Sequence, residues 1–87
     1  MSKEFNVEHT VSIYPSVEMM NKMGYKSMYD MSDDLESVVK INYPGLLEDK
    51  FAKFDPESEG FMVYCTSQDV HDTIMNEWNE FVNSCGL

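Results

Sequence analysis

The last third of the chain constrains the fold most. From Val70 onward, apolar residues recur at Ile74, Met75, Trp78, Phe81, Val82 and Cys85. At about 100° per residue these share one arc of a helix, and Asp69, Asp72, Asn76, Asn79, Glu80 and Asn83 share the other. Glu77 falls at the margin between them, and His71 lies near the apolar border. The spacing predicts an amphipathic helix over residues 68–84, capped by Thr66 or Ser67, with Asp69 and Asp72 in a first turn that favours carboxylates. Directly before it, Phe61 to Cys65 is apolar throughout, which predicts a central strand covered by helix.

A second strand follows from strict alternation. Phe5, Val7, His9, Val11 and Ile13 alternate with polar residues until Pro15 ends the run. A histidine at position 9 of such a face is more often packed than ligating. Ser16 can cap a short helix reaching Met23, which Gly24 stops. Asp33 and Glu36 match a capping box, predicting a helix from Ser32 or Asp33 to about Asn42. The β-branched run at residues 38–41 keeps a strand over 38–43 open. Pro44-Gly45 marks a turn. Residues 46–54 fit either a helix or one arm of a hairpin, and Asp55 to Gly60 make a turn after either. The expected fold is α+β. A single domain over 1–87 carries a two- or three-stranded, mainly antiparallel sheet. Its strands fall near 5–13, 61–66 and either 50–54 or 38–43, packed against helices.

Charge narrows the function. Sixteen acidic residues face six lysines, there is no arginine, and the net charge is −10. No lysine follows Lys53. Phosphate contacts require Lys and Arg, so direct nucleic-acid binding is disfavoured, as is an anionic membrane surface. A basic protein partner is the electrostatic complement. No apolar run is long enough to span a membrane, and Met1-Ser2-Lys3-Glu4 lacks the apolar segment of a secretory signal. Cys65 and Cys85 therefore read as reduced thiols, and the expected location is cytoplasmic.

Signatures of catalysis are missing. The glycines at 24, 45, 60 and 86 are too dispersed for a phosphate loop or a dinucleotide fingerprint. Asp55, Glu57, Glu59 and Gly60 match the start of a calcium loop, but Thr66 stands where a bidentate Glu is required. Cys65, Cys85, His9 and His71 lack the spacing of a zinc site. No cofactor and no metal is expected, and the chain does not read as an enzyme. A Cys65–His71 nucleophile and base is the lowest of the alternatives.

Two readings compete for the function. In the first, Asp69, Asp72, Glu77 and Glu80, the turn residues Asp55, Glu57 and Glu59, and Asp33, Asp34 and Glu36 form one negative face. Helix residues four apart rise by about 6 Å, near the spacing of successive phosphates in a strand. Such a face would occupy and block a basic groove built for a phosphate backbone. In character this is a nucleic-acid mimic, a kind of inhibitor typical of viruses and mobile elements. In the second, the protein is an adaptor. It docks an apolar partner surface, or homodimerises, through Met19, Met20, Met23, Tyr25, Met28 and Tyr29. Core packing is the commoner fate of such methionines.

Overall fold

The computed structural model describes residues 6–85. Its elements run β1 (His9–Ile13), α1 (Val17–Met23), α2 (Met28–Asn42), α3 (Pro44–Glu48), β2 (Ala52–Pro56), β3 (Phe61–Cys65) and α4 (Gln68–Ser84). The three strands form one antiparallel sheet in the order β1-β3-β2. The fold is α+β, with the apolar strand Phe61–Cys65 in the centre, as its composition predicts.

Register decides which side chains meet the helices. Val11 lies opposite Val63 and Ile13 opposite Phe61, while Ala52 lies opposite Cys65 and Phe54 opposite Val63. These residues share one sheet face with His9. Onto that face α2 brings Met31, Leu35 and Val39, and α4 brings Val70, Ile74 and Phe81, all buried. Aromatic contacts knit the layers. Trp78 meets the Phe61 ring edge-on at 5.8 Å, Phe54 stacks near Phe61 at 6.5 Å, and Tyr25 stacks near Phe81 at 6.1 Å. The opposite sheet face carries Thr10, Ser12, Lys53, Asp55, Met62 and Tyr64, and no helix covers it among the described residues.

Helix α1 begins and ends as expected. Ser16 accepts from the Met19 amide, and Gly24 terminates the helix at φ 83°, a conformation that L side chains resist. Helix α2 starts earlier than the Asp33–Glu36 box predicts. Ser27 is its cap, accepting from the Asp30 amide at 3.2 Å, and the helix takes in Met28 and Met31 because both have core to bury. The run 38–43 is helical rather than strand, since Val39 completes the buried stripe of Met31 and Leu35. Pro44 opens α3 instead of a turn, as its missing amide allows at a first helical position. Residues 46–54 thus hold the end of one element and the start of another, so the hairpin alternative is correct from Ala52 onward. Strand β1 is shorter than the alternation over 5–13. Its partner β3 ends at Cys65, whose carbonyl still accepts from the Glu8 amide at 2.9 Å. Phe5 lies outside the described residues.

Two positions show how tightly the pieces fit. A side chain at Gly60 would place its Cβ 2.5 Å from the Ile13 carbonyl, so the β2–β3 turn requires glycine there to close against β1. The Ser32 hydroxyl is fully buried and has no hydrogen-bond partner among the described residues. An unsatisfied buried hydroxyl costs stability, and alanine is the better helix former. We expect Ser32→Ala to raise the unfolding free energy by about 1 kcal/mol. Leu35→Ala, one turn further on in the same stripe, is expected to lower it by roughly 2–5 kcal/mol. Urea titration of the variants checks both.

Candidate functional site

The carboxylates named above do not gather on one face. Helices α2 and α4 lie side by side and antiparallel. Asn42, at the end of α2, meets Glu77 midway along α4, while Tyr25, bonded to Asp34 midway along α2, stacks on Phe81 toward the end of α4. Both helices bury one side in the sheet, so their polar sides look the same way. Asp30, Asp33 and Asp34 on α2 and Asp69, Asp72 and Glu80 on α4 are exposed there. Lys40 is the one lysine in either helix. Glu36 is half-buried, and burial first, then the neighbouring Asp33 charge, raise its carboxyl above the usual range, with Lys40 opposing.

Glu77 is a correction. It is only 4% exposed, and its carboxylate accepts from the Asn42 amide at 2.6 Å. Val70, Ile74, Glu77 and Phe81 form the buried ridge of α4, so Glu77 lies within that ridge, facing α2, and is withdrawn from any external partner. Asp55 is a second correction. It belongs to β2 rather than to a turn, and it points to the open sheet face, where it accepts from the Tyr64 hydroxyl at 2.9 Å. Lys53 shares that face. Glu57 and Glu59 are exposed at the hairpin end, where the Glu57 amide donates to the Gly60 carbonyl. The carboxylates named above therefore separate into the helix layer, the open sheet face, the hairpin end and the buried Glu77, and the helix layer is the largest of these groups.

Ion pairing is sparse. Among the described residues, the only lysine–carboxylate pair within 4 Å is Glu18–Lys22 on α1, at 3.4 Å. Two helix-layer carboxylates have other partners. Asp34 accepts from the Tyr25 hydroxyl at 2.7 Å; burial, then this bond, raise the tyrosine above its ordinary range. Asp72 accepts from the Gln68 amide at 2.8 Å and lies 3.2 Å from the His71 Nδ1. Those two bonds hold its carboxyl below the usual range.

The methionine and tyrosine stretch splits by burial. Met20 and Met28 are core residues, Met19, Met23 and Tyr25 are half-buried, and Tyr29 is 50% exposed. An open groove of about 660 Å³ runs between α1 and the start of α2, lined by Val17, Met20, Tyr25, Met28 and Tyr29, with Glu59 at its rim.

Cys65 is fully buried, and burial pushes its thiol up to about 11. Its Sγ lies 3.6 Å from the Val63 carbonyl, and no hydrogen bond joins it to His71 among the described residues. A thiol so placed is a weak nucleophile at neutral pH. What the sequence reading missed is the meeting of His9 with His71, whose ring centroids are 5.8 Å apart. No local pattern signals it, because the strand and the helix come from opposite ends of the chain. Among the described residues no cluster of three His, Cys, Asp or Glu side chains is arranged to hold a metal ion, and no helix is long and apolar enough to cross a membrane. No protein-family profile, curated protein or solved structure matches the chain.

The cysteines give a direct check. Native protein is expected to react at half-buried Cys85 and to spare Cys65 until denaturant is added, as read by thiol-reagent stoichiometry. The folded state also keeps the Cys65 proton to higher pH than the ordinary 9.0 of an exposed thiol. Unfolding therefore releases a proton at alkaline pH, and stability falls as pH rises from 9.0 to about 11. Thermal midpoints measured across that window are expected to drop, and Cys65→Ala to reduce the slope.

Proposed function

We propose that the protein is a non-enzymatic acidic interaction module. Its helix-layer carboxylates engage a basic surface of a partner protein, of the kind that holds a phosphate backbone, and block it. Asp30, Asp33 and Asp34 on α2 and Asp69, Asp72 and Glu80 on α4 form the contact. The observation that carries the reading is the placement of these six exposed carboxylates on one side of two adjacent helices that hold a single lysine. Like charges at helical spacing each cost a few tenths of a kcal/mol, and no ion pair with lysine relieves them among the described residues. Asp55, Glu57, Glu59 and Glu77 take no part in this contact, and Glu36 lies at its edge. A cytoplasmic setting, with both thiols reduced, accompanies the reading.

A second reading rests on the groove beside α1. Val17 is 74% exposed and Tyr29 50%, an apolar pair flanking buried methionines, which suits an apolar partner segment or a second copy.

Capture from a nuclease-treated lysate at low and high salt, followed by titration with the captured partner, separates the two. Under the first reading affinity falls steeply with salt. Asp69→Lys, Asp72→Lys and Glu80→Lys together abolish binding, whereas Asp55→Lys, on the opposite face, leaves it within about twofold. Under the second reading, Tyr29→Ala and Val17→Ser weaken binding and salt has little effect. Loss of binding on Asp55→Lys but not on the triple reversal would sink the helix-layer assignment.

A further inference from the structure

The chain has two histidines, and the fold puts them together. His9 opens β1, in register with Cys65 at the end of β3. From Cys65 the chain passes through Thr66 and Ser67 straight into α4, whose first turns carry His71 back beside the start of β1. The imidazole centroids are 5.8 Å apart with the rings inclined at 55°. Both residues are half-buried, and the His71 side chain keeps 28% of its surface exposed, so the pair is open to solvent ions.

Asp72 and Gln68 both reach the same ring nitrogen of His71. Its Nδ1 lies 3.2 Å from Asp72 Oδ1 and 3.4 Å from the Gln68 amide nitrogen, which itself donates to that carboxylate oxygen at 2.8 Å. In the tautomer that donates from Nδ1 to the carboxylate, Nε2 keeps a free lone pair. A carboxylate behind an imidazole in this way is the usual support of a metal-ligating histidine, fixing the ring and raising its basicity.

We propose that His9 and His71 bind a zinc-class dication, with Asp72 and Gln68 as positioning residues for His71. Zinc–nitrogen bonds are about 2.0–2.1 Å, which places the centroids of two imidazoles on one tetrahedral ion about 5 Å apart. The present separation is within reach of a side-chain torsion adjustment. Imidazole selects zinc, copper and nickel over magnesium and calcium. The net charge of −10 concentrates any dication near the surface. Cys65 is not counted as a third ligand, because its Sγ is turned toward the Val63 carbonyl at 3.6 Å. With no three-residue cluster among the described residues, water fills the remaining positions, and the ion exchanges readily. A bound ion would tie the strand at one end of the chain to the helix at the other.

The test is an NMR titration of the full chain with zinc chloride, following the two histidine rings. Both rings are expected to shift together and saturate at one equivalent, while magnesium chloride leaves them unmoved. His9→Gln and His71→Gln are each expected to weaken binding at least tenfold, and Asp72→Asn by about 10–100-fold. Circular dichroism confirms that each variant is folded, and His9→Gln, at a half-exposed strand end, serves if the helix variant is not. Binding that survives both histidine changes would assign the ion to surface carboxylates and overturn the proposal. So would a response from only one ring, or none.

Discussion

The edge-on contact of Trp78 with Phe61 is the joint on which the molecule turns. Among the described residues, Phe61 sits in the only strand with two neighbours, so whatever holds it also holds β1 and β2. Trp78 sits midway along α4 and stacks near Phe81, which in turn stacks near Tyr25. Through this aromatic series the central strand, the last helix and the link between α1 and α2 share one core. Apolar burial of this kind contributes roughly 25 cal/mol per Å², and in a small domain little else is available to offset the entropy of ordering the chain.

Charge is arranged around that core by the same layering. Helices α2 and α4 each turn one stripe to the sheet and the other to water, so their acidic residues end up side by side. Glu77 shows the limit of this rule. It belongs to the buried ridge of α4, and the Asn42 amide provides the partner that a buried carboxylate needs. The open sheet face obeys different logic. There Asp55 and Tyr64 bond to each other near Lys53, a mixed polar surface with no dominant sign.

The periodicities carried most of the architecture. Alternation located β1, an unbroken apolar run located β3, and the seven-residue arc located α4 almost to its ends. Helix starts were harder. The Asp33–Glu36 box set the start of α2 too late, because Ser27 caps the helix a turn and more earlier, where Met28 and Met31 can be buried. The acidic face was half legible. Residues exposed on α4 could be read from the helical wheel, but Asp55 was misassigned because strand β2 runs further than its Pro56 suggests. Glu77 was misplaced because a wheel does not say from which side a neighbouring helix will approach. The histidine pair was invisible for a deeper reason, since it exists only through the pairing of the first strand with the third.

That pairing has a kinetic meaning. Strands β2 and β3 are joined by a short turn and can zip together early, whereas β1 must wait for the whole middle of the chain to find its place before it can dock. Closing so long a loop costs more entropy than closing the short turn, which favours the β2–β3 pairing forming first. When β1 leaves, Val63 and Phe61 lose their strand neighbours on that side, so the first strand guards a core that the rest of the chain assembles.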